Sequence, residues 1–285
     1  MLLPHLEPRR FKEGVDRGAG SIRAATEASS ANVRDVHPAL QEVPKGITLE
    51  DVAKHSSGLM RAVEKTIGEK VLLVHSRDVA ASRVSIRPRM VGATFGGASW
   101  GGLQGLGVHL DNRWSNPEGQ GRGVDASKWQ SDFLSFWKGG PLVALGDFNA
   151  EPHHPEVCAR DGGFFAVRDR DTLSRPPVVV HESLRLPLYN PMWSHLQEKD
   201  GSVPRGTHHY EHDQKGIGPW VYDQILVSRE LVVGLRGTPS IWGNMGGTRY
   251  LTRRDGRSDG GYPRSVDHLP VGAFVDLEEV YLCRI

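Results

Sequence analysis

The stretch that decides the fold runs from Leu142 to Pro152 and reads LVALGDFNAEP. Its apolar residues form a short run that stops at Gly146, which is typical of a buried strand followed by a turn. Asp147 and Asn149 stand two positions apart, so their side chains point to the same side of an extended chain. Hard oxygen ligands at the end of a strand suit Mg²⁺ or Mn²⁺ and a phosphate group. Taken alone, the stretch fits equally well a strand that ends in an ordinary Gly-Asp turn.

Two later segments also place acidic residues beside apolar strands. Residues 221–228, VYDQILVS, put Asp223 at the head of a strand, and residues 265–271, SVDHLPV, put Asp267 and His268 just before the final strand. In this order, the three segments resemble the GDFN-x-x-P, D-x-(I/L)-(L/V) and (S/T)-x-DH-x-P-V blocks of the endonuclease/exonuclease/phosphatase superfamily. Pancreatic deoxyribonuclease, abasic-site endonucleases, neutral sphingomyelinases and inositol-phosphate phosphatases share that fold.

The resemblance covers roughly residues 40 to 280. It implies an α/β (α+β) fold, a four-layered sandwich in which two packed mixed β-sheets are flanked by helices. We expect residues 1–35 to form a poorly structured N-terminal arm and residues 36–285 to form the superfamily domain. The implied activity is metal-dependent hydrolysis of a phosphodiester, as in a nuclease, or of a phosphomonoester, by in-line attack of water. DNA or RNA is the first candidate substrate; phosphoinositide, sphingomyelin and nucleotide substrates stay open.

The resemblance also implies how the polar residues divide the chemistry. His268 would act as the acid or base, since imidazole titrates nearest neutral pH, and Asp223 would orient its ring. Asp147 would bind the metal or orient the attacking water. Asn149 would bind the phosphate or the water as a neutral donor, and His109, in residues 107–111, GVHLD, would donate to the phosphate or to the leaving oxygen.

The metal, Mg²⁺ or Mn²⁺, would be held by Asp147, Asp267 and Glu42. Glu42 matches the superfamily's metal-binding Glu, but there an apolar strand ending in Asn lies upstream, and residues 1–36 show no such strand. His37 and Pro38 also interrupt the run that leads into Glu42. The N-terminus is therefore truncated or diverged, or the match is a coincidence.

A third element resembles the rim of the superfamily's active site. Residues 206–210, GTHHY, and Trp220 are similar to its Gly-Thr-aromatic segment, which makes His208 and Trp220 candidate substrate-binding residues. His208, His209 and His212 could instead form a zinc cluster, although no helical pattern places His208 and His212 on one face.

Two alternatives to a metal-dependent phosphoesterase remain. Residues 97–101, GASWG, fit the nucleophile elbow of a serine esterase with Ser99, Asp223 and His268 as its triad. The glycines that follow are the wrong context for the helix that the elbow requires, and the triad leaves Asp147 unexplained. The other alternative is a catalytically degenerate member of the superfamily that acts as a binding protein.

Composition narrows the class of protein. The chain carries 35 basic and 34 acidic residues, a net charge of +1, so no global basic field indicates nucleic-acid binding, although a local patch would suffice. Its two cysteines are too few for a disulfide scaffold. We expect no membrane span, no secretory signal and a cytoplasmic location. The sequence gives no basis for an oligomeric state.

The remaining patterns predict individual elements. A capping box at residues 48–51 predicts a helix that extends to Ile67. Residues 71–74, 83–87 and 106–110 favour strands, and the glycine-rich stretch between residues 92 and 107 favours a hairpin or a loop. Asp125 is expected to cap a helix that buries four aromatic residues. The last strand is expected over residues 271–277.

Overall fold

The computed structural model of the chain describes residues 2–3, 39–41, 60–65, 71–76, 79–96, 102–111, 121–180, 183–196, 206–208, 220–242, 244–245, 248–249, 268–269 and 271–282. The first strands in chain order are β1 (Leu2–Leu3), β2 (Ala39–Gln41), β3 (Met60–Lys65), β4 (Val71–Ser76), β5 (Ala81–Arg87), β6 (Met90–Phe95), β7 (Leu103–His109), β8 (Leu142–Asp147) and β9 (Ala166–Val167). The others are β10 (Val178–Val180), β11 (Ser183–Arg185), β12 (Leu188–Tyr189), β13 (Asp223–Ser228), β14 (Leu235–Ile241), β15 (Asn244–Met245), β16 (Thr248–Arg249) and β17 (Val271–Val275). The helices are α1 (Gly121–Phe136), α2 (Pro155–Cys158) and α3 (Leu277–Leu282), and short 3₁₀ turns span Arg170–Ser174, Pro191–Leu196 and Arg229–Leu231.

Seven strands form the main sheet, in the order β5-β6-β7-β8-β13-β12-β9. Neighbours are antiparallel except for the parallel pairs β7–β8 and β12–β9, so the sheet is mixed. A second, smaller sheet has the order β1-β2-β4-β3, and β14 pairs with β17. β1 lies in the predicted N-terminal arm and pairs in parallel with β2.

Two hydrophobic cores cover the two faces of the main sheet. The inner core lies between the sheets and joins Val71 and Leu73 of β4 to Val91 and Phe95 of β6. The outer core packs α1 on the opposite face, through Trp129 and Phe133 on α1, Trp137 directly after it, and strand residues that include Leu106 and Leu142. The predicted α/β class, with two packed sheets and a helix outside them, is confirmed. A helical layer outside the smaller sheet is not seen in the part of the chain that the structure describes.

Glycines inside the strands allow these layers to approach closely. A Cβ atom on Gly92 would lie 2.7 Å from the ring of Phe136 in α1, and one on Gly107 would lie 2.8 Å from Cγ1 of Val71 in the smaller sheet. Where the structure describes it, the glycine-rich stretch belongs to two paired antiparallel strands, β6 and β7. Packing, rather than turn formation, requires glycine at these two positions.

The predicted helix that ends at Ile67 is wrong where the structure describes it, because Met60–Lys65 is strand β3. β3 pairs with β4, and the register shifts between Ala62 and Glu64. Such a bulge breaks the period-two alternation by which a strand is recognised. The rest of the predicted helix lies outside the described residues.

Two element ends also differ from the prediction. α1 begins at Gly121, so Asp125 lies within the helix and does not cap it; the residue type alone does not fix a helix boundary. β2 begins at Ala39, directly after the interruption expected at His37 and Pro38, two residues that themselves lie outside the described ranges. The last strand ends at Val275, because the Asp276 carboxylate accepts the amide hydrogens of Glu278 and Glu279 and starts α3.

Candidate active site

Three buried polar side chains lie side by side where the central strands end. In register, Asp147 at the end of β8 is paired with His109 at the end of β7 on one side and with Asp223 at the start of β13 on the other. Leu145 and Ile225, two positions away on the same strands, belong to the inner core. Because side chains alternate along a strand, the three polar groups face the same side of the sheet as that core.

Asn149 follows in a tight turn that holds the carboxylate of Asp147. Its backbone is left-handed, with φ of 46°, a conformation that asparagine tolerates better than most residues. The backbone N–H of Asn149 donates to Oδ1 of Asp147 at 2.7 Å, and its Nδ2 donates to Oδ2 at 2.8 Å. Nδ2 also donates to the carbonyl of Leu110 at 2.8 Å. The predicted phosphate donor is thus bonded to Asp147 in this structure.

His268 reaches this row from outside the main sheet. Its Nδ1 lies 2.8 Å from Oδ2 of Asp223, which makes it the donor to that carboxylate, and its Nε2 lies 3.8 Å from Oδ2 of Asp147. The Nε2 atom of His109 approaches the same oxygen of Asp147 at 3.5 Å. The predicted pair of Asp223 and His268 is therefore present, and both imidazoles converge on Asp147.

Burial changes the acidity of the central carboxyl group. Asp147 is 3% exposed, and this desolvation raises its pKa from 3.8 to about 6. His268 and His109 oppose the shift by favouring the anion, whereas the negative charge of Asp223 adds to it. The side chains around Asp147 compensate the negative charge of its ionised form only in part. A cation bound beside this carboxylate would therefore be favoured.

Asp147 is the predicted metal ligand that lies within the described residues. One ligand atom each from Asp147, Asp223 and His268 lie within 4.8 Å of one another, but Asp223 and His268 already bond to each other. Asp267 and Glu42 lie outside the described residues. Glu42 directly follows Gln41 of β2, whose register partner is Val71. Ser99 of the alternative serine triad also lies outside the described residues.

The predicted substrate-binding residues stand beside His268 in an aromatic group. The ring of His208, which is 5% exposed, packs edge-on against that of His268 with centroids 4.6 Å apart. Trp220 is half-buried and stacks on Tyr222, with rings inclined by 10°. Sequence reasoning missed Tyr222, although its place directly before Asp223 was a usable signal.

Among the described residues, His208 belongs to no group with metal-ligand spacing, and His209 and His212 of the zinc alternative lie outside them.

A buried amide network supports the strand ends and was also missed. Nε2 of Gln224 donates to the carbonyls of Ala150 and Val221, and Oε1 accepts from Asn190. Gln224 and Asn190 are fully buried. The network fixes the turn after Asn149 relative to β13, and nothing in the local pattern of these residues reveals it.

A second group of possible ligands follows the same turn. Glu151, His153 and His154 offer ligand atoms within 4.8 Å of one another. Nδ1 of His154, however, accepts the amide hydrogen of Glu151 at 3.0 Å, which closes the turn. Nδ1 of His154, one of the possible ligand atoms, therefore already serves as a hydrogen-bond acceptor within the turn.

The sequence matches no protein-family profile, and no curated protein matches it. Solved structures do match. A mannosyl-6-phosphatase of Bacteroides thetaiotaomicron superposes with a TM-score of 0.57 at 13% identity, over 96% of this chain and 97% of that chain. An endonuclease/exonuclease/phosphatase family protein of the same organism gives 0.55 at 14% identity, over 94% and 93%. An AP endonuclease of Archaeoglobus fulgidus gives 0.51 at 13% identity, over 90% and 96%.

Identities this low carry information about the fold alone, and the fold is the same in all three comparisons. It also agrees with the order of the three sequence blocks and with the mixed sheet that brings their polar residues together. The chain has the fold of the endonuclease/exonuclease/phosphatase proteins.

Proposed function

We propose that the chain is a divalent-metal-dependent phosphoesterase that hydrolyses its substrate by in-line attack of water. The observation that carries the proposal is the His268 ring, with Nδ1 2.8 Å from Asp223 and Nε2 facing the Asp147 carboxylate at 3.8 Å. Phosphoester hydrolysis needs a group that takes a proton from water and a centre that offsets negative charge on phosphorus. The site has candidates for both within one row of side chains.

The carboxylate of Asp147 fits a divalent ion. It is an oxygen donor, which Mg²⁺ and Mn²⁺ prefer, and its burial leaves an anion that a cation would stabilise. Asp147, Asp267 and Glu42 would hold the ion. The placement of β2 supports Glu42, since Gln41 pairs with Val71, and Val71 packs against Gly107, two residues before His109. A bound ion would supply Lewis-acid stabilisation of the charge that develops on the phosphoryl oxygens.

His268 and Asp223 would act as a base and its orienting carboxylate. Asp223 accepts the Nδ1 hydrogen, so the lone pair of the neutral ring is on Nε2, the atom that faces the Asp147 carboxylate. Nε2 takes the proton of the attacking water, and Asp223 then stabilises the imidazolium that forms. No covalent intermediate with the protein forms.

Asn149 and His109 would bind the phosphate. Both lie against Oδ2 of Asp147 in this structure, so a phosphate group bound beside that carboxylate would lie next to their N–H groups. Trp220, half-buried and stacked on Tyr222, offers a ring to a substrate base or sugar. His208 is more deeply buried and would act mainly through its contact with His268.

The first candidate substrate is a nucleic-acid phosphodiester, and a phosphomonoester is the alternative. The names of the structural neighbours span both, an AP endonuclease and a mannosyl-6-phosphatase. The stacked rings beside the site favour a substrate that contains a base, because an aromatic side chain offers a surface on which any base can stack.

The test is a substrate panel: plasmid, single-stranded DNA, RNA, bis-p-nitrophenyl phosphate and p-nitrophenyl phosphate, each with Mg²⁺, Mn²⁺ or EDTA. We expect hydrolysis of at least one phosphoester with an ion and none with EDTA. Hydrolysis that persists in EDTA would exclude the metal-dependent mechanism. The absence of turnover on every substrate, in a protein that still binds nucleic acid, would support the binding-protein alternative.

A further inference from the structure

The two residues of the proposed dyad belong to different parts of the fold. Asp223 begins β13 in the main sheet, whereas His268 precedes β17, which pairs with β14. In the described part of the chain, no strand ladder joins β13 directly to His268. Residues 206–208 connect the two, because His208 forms an antiparallel bridge with Trp220 on one side and with His268 on the other.

Thr207 is the residue of this segment that forms hydrogen bonds both to the backbone of Asp223 and to the backbone beside His268. Its hydroxyl oxygen accepts the amide hydrogens of Tyr222 at 3.1 Å and of Asp223 at 3.0 Å. The carbonyl oxygen of Thr207 accepts the amide hydrogen of Leu269, next to His268, at 2.6 Å. One residue thus fixes the backbone of Asp223 and the backbone beside His268 at the same time.

The Thr207 side chain has no exposed surface that a substrate could contact. It is fully buried, and its hydroxyl also lies 3.4 Å from the carbonyl of Trp220, to which it donates. Three backbone groups therefore surround one hydroxyl oxygen. A side chain of the same shape without that oxygen would leave the amide hydrogens of Tyr222 and Asp223 without this acceptor in a buried site.

We propose that Thr207 is a positioning residue that sets the distance between Asp223 and His268. The inference rests on the proposed function, because it concerns the dyad of that reaction. Displacement of a catalytic group by about 1 Å can cost roughly 10²-fold in rate. The hydroxyl of Thr207 holds the main-chain nitrogen of Asp223, so its loss shifts the carboxylate that orients His268.

The experiment compares Thr207→Val, which keeps the shape and removes the oxygen, with Thr207→Ser, which keeps the oxygen and removes a methyl group. With Mg²⁺ and bis-p-nitrophenyl phosphate, we expect Thr207→Val to lower kcat by about 10- to 100-fold with little change in KM. Thr207→Ser should retain most of kcat. A general loss of structure would not make kcat depend on whether the side chain at position 207 carries a hydroxyl group. If Thr207→Val does not fold, Thr207→Cys replaces it, since sulfur is a weak acceptor.

A double-mutant cycle tests whether Thr207 acts through Asp223. In the Asp223→Asn protein, Thr207→Val should cost much less than in the wild type, because the interaction that it weakens is already impaired. Equal costs in the two backgrounds would overturn the inference, as would a Thr207→Val protein with wild-type kcat.

A measurement without substrate separates this inference from the proposed function. The Nδ1 hydrogen between His268 and Asp223 should give a downfield proton resonance, assigned by its absence in His268→Gln. We expect it in the wild type and in Thr207→Ser, and its loss or a marked shift in Thr207→Val. If the wild type hydrolyses no phosphoester, the proposed function fails while this comparison still decides the role of Thr207. An unchanged resonance in Thr207→Val refutes that role.

Discussion

Asp147 and Asp223 are register partners on adjacent antiparallel strands, yet each carboxylate bonds to different neighbours. Asp223 accepts from the His268 ring, and Asp147 accepts from Asn149. Two buried carboxylates this close repel each other, and the pKa of Asp147 is raised in part by Asp223. In the proposed reaction the two carboxylates would therefore have separate tasks: Asp223 would orient the base, and Asp147 would bind a cation.

The first prediction concerns the base. His268→Ala should lower kcat by about 10²–10⁴-fold, because it removes the group that accepts the proton of the attacking water. The measurement is steady-state hydrolysis of the best substrate of the panel, with circular dichroism to verify the fold. The matched control is His153→Ala, because that side chain is half exposed and has no role in the proposed mechanism. Wild-type turnover in His268→Ala would remove His268 from the reaction.

The second prediction concerns the orienting carboxylate. Asp223→Asn should impair turnover strongly, yet less than His268→Ala, because an amide in place of the carboxylate leaves a base in a poorer tautomer. Both variants should bind substrate comparably, so the difference should appear in kcat. A larger loss for Asp223→Asn than for His268→Ala would instead indicate that Asp223 contacts the metal or the substrate directly.

The site's strands could be predicted because their signals are local. A buried run that stops at Gly146 and Asp147 indicates the end of a strand by itself. Aromatic residues at helical spacing indicate the buried face of a helix, here Trp129, Phe133 and Trp137. β3 shows the limit of this reasoning. Its bulge between Ala62 and Glu64 removes the alternation of a strand, and its conformation depends on pairing with β4, which the pattern of residues 60–65 alone does not encode.

The supporting contacts of the site could not be predicted for a related reason. Thr207 bonds to the backbone of Tyr222, 15 residues away in sequence, and Gln224 bonds to Ala150, 74 residues away. A buried hydroxyl or amide fits many environments, so its residue type does not identify its partner. Only the register of the strands brings these groups together.

The third prediction separates the metal mechanism from a serine esterase. Ser99→Ala should leave phosphoester hydrolysis nearly unchanged, because Nε2 of His268 faces the carboxylate of Asp147 at 3.8 Å and the proposed reaction needs no serine nucleophile. The assay compares wild type and variant with Mg²⁺ and with EDTA, and adds p-nitrophenyl acetate as an ester substrate. Esterase activity that survives EDTA and vanishes in Ser99→Ala would show that the serine mechanism operates.

The fourth prediction follows from the raised pKa of Asp147. A carboxyl group whose pKa is higher in the folded protein binds its proton more tightly there, so its contribution to stability is complete below the unfolded value of 3.8 and is lost as pH rises through about 6. In EDTA, the free energy of unfolding should therefore fall between about pH 4 and 7, by at most about 1.4 kcal/mol per pH unit from this one group.

Urea unfolding of wild type and Asp147→Asn in EDTA measures this effect. Asn has no such proton, so the difference in unfolding free energy between the two proteins should change with pH in favour of the variant as pH rises. Mg²⁺ should restore stability to the wild type at neutral pH and have less effect on Asp147→Asn. A difference that does not vary with pH would show that Asp147 ionises without penalty.

The last prediction concerns Glu42, which follows directly on the strand that ends at Gln41. If Glu42 is a metal ligand, Glu42→Gln should raise the Mg²⁺ concentration needed for half-maximal activity at least tenfold, because loss of a carboxylate removes a charged oxygen ligand. At saturating Mg²⁺, much of kcat should return, since His268 and Asp223 are intact.

The matched control is Glu278→Gln, an exposed carboxylate in α3, which should leave the metal requirement unchanged. An unchanged Mg²⁺ requirement in Glu42→Gln would make the sequence match at Glu42 a coincidence. Asp147 and Asp267 would then lack that third carboxylate, and metal-dependent turnover of the wild type should be weak.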